Sequence, residues 1–259
     1  MADGVRLSLA IMRAVFPSAP SPIVNAFVEK QGVLSAVGLD RTRQRLAYCF
    51  ANLHAETGGF SIRDLTENIN YTAARMARVW PNRFVSAIAV QARYGTAPGW
   101  QMKAFDDIYG NRMGNRPGTS DGSRFIGRGG PQITGRDGYT EIGKRIGVDL
   151  VGSPDLAGSS ALQPDIAAAF WDWKGMNRFA DAGDFLGCVK AWNGGTNGLA
   201  ERQAQLARIL PILQGAEWGG VPAAPAKPPP EPSPVSQPVS PPPAWAAFFM
   251  AIAKLFRRA

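Results

Sequence analysis

Glu56 and Glu67 lie eleven residues apart in a chain that is otherwise basic, within Leu53-His54-Ala55-Glu56-Thr57-Gly58-Gly59-Phe60 and Glu67-Asn68-Ile69-Asn70-Tyr71. Two carboxylates in unlike surroundings can divide acid and base work. The one kept neutral gives a proton to a leaving oxygen, and the one kept ionised takes a proton from water. That is the equipment of a glycosidase. Before Glu56, Leu46, Phe50 and Leu53 recur at three- and four-residue steps, with Ala47 and His54 beside them, which predicts a helix. Gly58 and Gly59 then stop it. The negative end of the helix dipole and the apolar neighbours both disfavour a charge on Glu56, which suits a proton donor. Glu67 stands in a polar run, where it is expected to stay ionised and act as base. The plain alternative is that the glycines are only a helix stop, His54 a satisfied core histidine, and the two glutamates a chance pair.

The elements that must position this pair are mostly helical. Residues 5–16 read as a short amphipathic helix stopped by Pro17, and a second follows with Ser21 as N-cap and Pro22 at the first helical position. The helix carrying Glu56 is expected to begin near Asp40. Thr72 reads as the N-cap of a helix ending before Pro81. Residues 86–105 give no clear pattern beyond a turn at Pro98-Gly99. Residues 109–138 are rich in glycine and polar residues and read as a long loop with a short hairpin. Helical spacing returns at 139–146, 161–173, 185–192 and 199–213. Strand-like alternation is scarce, so the fold class is mainly α. The glycines of 127–135 are not a nucleotide cradle, because no strand–turn–helix unit surrounds them and no Gly-Lys-Ser/Thr ending follows. They are better suited to letting backbone approach an extended ligand.

Three parts follow: a catalytic domain over 1–214, a proline-rich linker over 215–243, and a basic amphipathic helix over 244–259. The linker holds eleven prolines between Pro222 and Pro243, a composition that gives an extended spacer. In the last stretch Trp245, Phe248, Phe249, Ile252 and Phe256 share a helical face, and Lys254, Arg257 and Arg258 gather at the end. It is too short to span a bilayer and suits an anionic membrane surface; the alternative is docking on the catalytic domain.

The 259 residues carry 28 Lys+Arg against 20 Asp+Glu, a net charge of +8 that favours anionic partners. The basic residues are dispersed, so a nucleic-acid partner is not expected. One histidine, His54, argues against a zinc hydrolase, and neither a metal nor a cofactor is called for. Cys49 and Cys188 are expected to be buried free thiols, with one disulfide as the alternative. A Cys49–His54 nucleophile pair is disfavoured because the two diverge on a helix. The apolar run from Leu7 to Met12 is short and closed by Arg13, and is not a convincing signal peptide.

With these segments in place, the chain resembles glycoside hydrolase family 19, the family of plant-type chitinases and of many phage endolysins. The resemblance covers roughly residues 5–213. Besides the two glutamate stretches it rests on Tyr109-Gly110-Asn111-Arg112-Met113-Gly114, on Phe125-Ile126-Gly127-Arg128-Gly129-Gly130-Pro131-Gln132-Ile133-Thr134-Gly135, and on Trp192-Asn193-Gly194-Gly195-Thr196-Asn197-Gly198-Leu199-Ala200-Glu201-Arg202. It implies a two-lobed, lysozyme-like fold and an inverting mechanism. Glu56 would be the general acid, Glu67 the general base, and Thr134 would hold the attacking water. Gln132, Asn193 and Arg202 would line the sugar site, with Tyr71 as a sugar-contacting aromatic. Inversion asks for carboxylates about 6.5–9.5 Å apart. The chain departs from the family pattern at Gly138, where an asparagine is common, and at Gly129-Gly130, where one glycine is usual.

The leading expectation is a monomeric muramidase-type endolysin that hydrolyses β-1,4 bonds of peptidoglycan strands. It would be made in the cytoplasm of a bacterial host and act at the periplasmic wall to lyse the cell. A chitinase acting on GlcNAc polymers, or a non-catalytic wall-binding or membrane-active lysis protein, are the alternatives.

Overall fold

The structure is a computed structural model and describes residues 2–221. Most of the expected linker and the whole of the expected C-terminal helix, 222–259, lie outside the described residues. The elements are β1 (Ala2–Val5), α1 (Leu9–Val15), α2 (Ser21–Glu29), α3 (Gln31–Ala36), α4 (Arg43–Thr57), α5 (Ala73–Val79), α6 (Ala87–Tyr94), α7 (Trp100–Tyr109), α8 (Asp121–Arg124), α9 (Gly135–Ile146), α10 (Gln163–Trp173), α11 (Asn177–Asp181), α12 (Phe185–Asn193), α13 (Leu199–Gln214) and β2 (Trp218–Val221). The expected mainly helical, two-lobed fold is what the chain adopts. Among the described residues no helix is long and apolar enough to cross a membrane.

Two separate apolar cores define the lobes. The larger gathers α1–α4 and α9–α13 around Phe16, Phe27, Phe50, Phe60 and Trp171. Phe16 lies at its centre, stacked on Phe27 and edge-on to Phe50 and Phe60. The smaller gathers α5–α7 around Tyr71, Trp80, Phe84, Phe105 and Tyr109. Phe105 meets Tyr71, Trp80 and Tyr109 edge-on, an arrangement that suits the charge distribution of aromatic rings.

The helix that carries Glu56 starts later than its apolar spacing suggests. Leu39–Arg41 form a separate 3₁₀ turn, Thr42 is extended, and its hydroxyl accepts the Arg45 N–H to cap α4. Gly58 ends α4 at φ 61°, a left-handed conformation suited to glycine. Thr72 caps α5 as expected. Four readings change. The N-terminus opens on strand β1, with Ser8 capping α1. Pro20, not Ser21, is the cap residue of α2. Residues 86–105 hold α6, capped by Ser86, and α7, begun by left-handed Gly99. Finally, the linker does not begin at 215: β2 pairs antiparallel with β1, Ala2 opposite Val221 and Val5 opposite Trp218, so the folded body runs to Val221.

A short ribbon joins the lobes. Arg128 bridges Ile133 on one side and Thr66 on the other, realising the expected hairpin. The two glycines in it are both required. A Cβ on Gly129 would come within 2.7 Å of the Ala157 carbonyl, and one on Gly130 within 2.8 Å of Leu53. At Gly138, by contrast, a Cβ would meet nothing within 4 Å.

Asp121 ties α8 to α9. Its buried carboxylate accepts from the Arg116 N–H at 3.0 Å, from Arg116 Nε at 2.9 Å and from Arg136 Nε at 3.0 Å. The Arg116 guanidinium, with Arg136 behind it, holds the carboxyl well below the ordinary aspartate value of 3.8. A depressed value stabilises the fold above the unfolded-state pKa and is lost as pH falls through the folded one. Asp121→Asn should therefore lower unfolding free energy by roughly 1.5–3 kcal/mol at neutral pH, read by urea denaturation. The gap from the parent should narrow once pH drops below 3.8; a gap independent of pH would mean that the charge on Asp121 is irrelevant.

Candidate active site

α4 and α13 pack against each other and build the first half of the site. Asn52 and Glu56 are one turn apart on α4, so they share a face. Arg202, in the first turn of α13, reaches across to both. Its Nη2 donates to Glu56 Oε1 and its Nη1 donates to Asn52 Oδ1 at 2.6 Å. All three residues are buried. The position of Arg202 is set by the turn before it. Gly194 takes the left-handed conformation that ends α12, and Gly198 takes it again where α13 begins. Between them Asn193 Oδ1 accepts the Gly195 N–H at 2.9 Å and Asn193 Nδ2 donates to the Asn197 carbonyl at 3.1 Å.

The second half lies where the ribbon meets the small lobe. The Glu67 N–H donates to the Gly127 carbonyl at 2.8 Å, and the Gly127 N–H returns to Glu67 Oε2 at 3.0 Å. Tyr109, from the end of α7, donates its hydroxyl to Glu67 Oε1 at 3.2 Å. A Cβ on Gly127 would lie 2.8 Å from Gln132 Oε1, 3.4 Å from Thr134 Oγ1 and 3.5 Å from Glu67 Oε2. Glycine there leaves open the point on which these three side chains converge. Gln132 is held at φ 56° and its Nε2 donates to the Gly129 carbonyl at 3.0 Å. Thr134 Oγ1 donates to the Gln132 carbonyl at 3.0 Å. Arg128 points elsewhere, donating to Tyr139 Oη and pairing with Asp155, both at 2.9 Å.

The polar run does not keep Glu67 in water. Asn68 and Asn70 are exposed, with Asn68 Oδ1 accepting the Asn70 N–H, while Glu67 and Ile69 turn inward and Tyr71 is buried. Glu67 keeps part of its surface in solvent, yet burial is the largest influence on its carboxyl and raises it above the ordinary glutamate value. The Gly127 N–H, the Tyr109 hydroxyl and the nearby Arg128 charge pull the other way without cancelling it. The surroundings of Glu56 also differ from the apolar setting expected, because a guanidinium sits on it.

The structure thus gathers Glu67, Thr134 and Gln132 at one point, and Glu56 and Arg202 at another. Two residues expected to face sugar do not do so here. Arg202 is turned into Glu56, and Tyr71 is packed in the small core against Trp80 and Phe105 with Arg75 over its ring at 4.3 Å. Asn193 is buried and uses its amide within its own turn. Sequence reasoning assigned no role to Asn52, Tyr109, Gly127 or Arg128. Tyr109 and Gly127 lay within quoted motifs, but nothing local told that they would meet Glu67.

A bilobal, mainly helical body with two glutamates held in different ways suits a glycoside hydrolase. The glycoside hydrolase family 19 model, described as chitinase class I, matches residues 82–214. A glycosyl hydrolase family 19 domain-containing protein of Haemophilus influenzae is 30% identical over 210 residues, covering 80% of this chain and 96% of that protein. The acidic 27 kDa endochitinase of Solanum lycopersicum is 43% identical over 58 residues, 22% of this chain and 23% of that one. The crystal structure of chitinase C from Streptomyces griseus shares the fold at a TM-score of 0.51 and 17% identity, over 82% of this chain and 94% of that one. The chain belongs to glycoside hydrolase family 19.

The hydrogen bond from Tyr109 lowers the Glu67 carboxyl, so removing it must raise that carboxyl further. In Tyr109→Phe the acid limb of the pH–rate profile should move to higher pH. Activity well above that limb should be largely retained. An acid limb that stays in place would show that the titrating group is not Glu67.

Proposed function

We propose that this enzyme is an endolysin-type peptidoglycan hydrolase cleaving β-1,4 glycosidic bonds with inversion, Glu56 as general acid and Glu67 as general base. The observation that carries the roles is the convergence of Glu67, Thr134 and Gln132 on the space left by Gly127, with Glu56 placed apart on α4. A water resting on Thr134 Oγ1 would stand beside a carboxylate that burial makes a stronger base than an exposed glutamate. Glu67 takes its proton as the oxygen attacks the anomeric carbon from one face. Glu56 gives its proton to the leaving oxygen on the other face. Arg202 then stabilises the carboxylate left on Glu56, so its charge counts most as the bond breaks. Gln132 is assigned to the sugar site, whereas Arg202 acts through Glu56 and Asn193 holds the turn before it.

Peptidoglycan is favoured over other glycans by the net charge of +8, which draws the protein to anionic envelope polymers. The reading includes a monomer, made in a bacterial host and acting at the periplasmic wall. A chitinase is the second reading, favoured by the local similarity to plant endochitinases.

Product chemistry separates these. Digestion of isolated peptidoglycan followed by borohydride reduction and mass spectrometry should give reduced muramic acid at the new ends. Reduced glucosamine would transfer the assignment to the chitinase reading, and no new ends from folded protein would sink both. Glu56→Gln and Glu67→Gln should each lower the rate by about 10²–10⁴-fold. Azide should partly restore only Glu67→Gln, since it attacks without a base. Parent-like activity of either variant would remove that residue from the mechanism.

Residues 244–259 are proposed to contact anionic membrane. A chain ending at 243 should bind anionic liposomes more weakly than the parent yet hydrolyse membrane-free wall at the same rate. Equal liposome binding would refute the assignment.

A further inference from the structure

The Arg202 guanidinium is shared between two α4 side chains, and only one of them is a carboxylate. Asn52 is wholly enclosed, a costly place for an amide unless its polar atoms are satisfied. Its Nδ2 donates to the Tyr48 carbonyl one turn back at 2.8 Å and approaches Cys188 Sγ at 3.9 Å. Its Oδ1 accepts from Arg202 Nη1 at 2.6 Å, and Arg202 Nη1 also lies 3.4 Å from the Asn52 carbonyl. This fixes the sense of the amide. Turned over, it would present NH₂ to a guanidinium and its oxygen to the Tyr48 carbonyl, donor to donor and acceptor to acceptor. Asn52 is therefore locked to the α4 backbone on one side and locks Arg202 on the other.

We propose that Asn52 is the positioning residue of the general acid, a neutral anchor that holds the Arg202 guanidinium against Glu56 without competing for its charge. The inference rests on the role given to Glu56 above. A carboxylate at 52 would divide the charge of Arg202 between two anions one turn apart. An apolar side chain would remove the 2.6 Å acceptor and leave Nη1 only the longer 3.4 Å contact with the residue 52 carbonyl, a looser hold on the guanidinium. The amide does neither, and the planar fork of arginine lets one residue grip both partners at once.

Among the described residues, groups from α4, α11, α12 and α13 surround this network. From α13 comes Arg202 itself. From the α12 side come Cys188 and Asp184, the latter capping α12 through the Gly187 N–H. On α4 are Tyr48, Cys49 and His54, and at the far end Arg45 pairs with Asp181 of α11. Burial pushes the Cys188 thiol up to about 12 and raises Cys49 as well, so both stay neutral. His54 stacks on Phe16. Among these groups, the Arg202 charge is the one the structure places on Glu56.

The test compares the full-length parent with Asn52→Asp, Asn52→Leu and Glu56→Gln on soluble peptidoglycan fragments. Asn52→Asp keeps the shape and adds a second anion that competes with Glu56 for the Arg202 charge. The alkaline limb of its kcat profile should move to higher pH by about one unit. Asn52→Leu should lose about tenfold or more in kcat with KM within about twofold, because the buried side chain touches no substrate. If Asn52→Leu fails to fold, Asn52→Asp decides alone. An unmoved alkaline limb in Asn52→Asp, with Glu56→Gln inactive, overturns the role of Asn52 and leaves the acid assignment standing. Parent-like activity in Glu56→Gln overturns both.

Discussion

An arginine enclosed in protein must find acceptors, because a buried and unpaired guanidinium costs several kcal/mol, about 3–5 when a pair is broken. Arg202 satisfies this with acceptors from one face of α4, Glu56 and Asn52. That requirement ties α13 to α4, because a slip along the helix axis would take Arg202 off this pair of acceptors. The turn before α13 is built to hold that register, with left-handed glycines at 194 and 198 and the Asn193 amide closing the loop between them. The large lobe is thus a device for placing one carboxylate at a helix end, and the rest of its core makes the placement rigid.

Glu67 depends on a different constraint. It is held by backbone, through the paired hydrogen bonds with Gly127, and the ribbon that supplies Gly127 can approach because positions 127, 129 and 130 lack side chains that would collide. Tyr109 adds a contact from the small lobe. The base is therefore anchored at the seam of the two lobes, while the acid belongs to the large lobe alone. A change in the angle between lobes would alter the surroundings of Glu67 before those of Glu56.

What could be read along the chain was what is local. The apolar steps before Glu56, the glycine stop at 58 and the Thr72 cap need only a few residues each, and all stand where the spacing put them. α6 was illegible because its apolar residues do not share a buried face: Ile88 is 76% exposed while Val90 is buried. The strand pairing of β1 with β2 joins the two ends of the described chain, and nothing in Trp218-Gly219-Gly220-Val221 announces a partner some two hundred residues away. The same limit governed the site. Glu56 was placed correctly at a helix end, but its cationic partner is 146 residues distant, and the groups that surround Glu67 are 42 and 60 residues distant. Residue types and order marked the carboxylates; their electrostatic settings were tertiary facts.

This exchange of settings matters for the chemistry. The sequence suggested a neutral Glu56 among apolar residues and an ionised Glu67 among polar ones. The structure instead surrounds Glu56 with a cation and its neutral anchor, and draws Glu67 inward against the pull of three favourable partners. For proton transfer the second arrangement is the more useful. A donor works best when the anion it becomes is already provided for, which a fixed guanidinium does without having to move. An acceptor works best when it is basic enough to take a proton from water, which partial burial provides as long as enough hydrogen bonds remain to keep it ionised near neutrality. Each glutamate meets partners that come from a distant part of the chain, Arg202 for Glu56 and Tyr109 and Gly127 for Glu67.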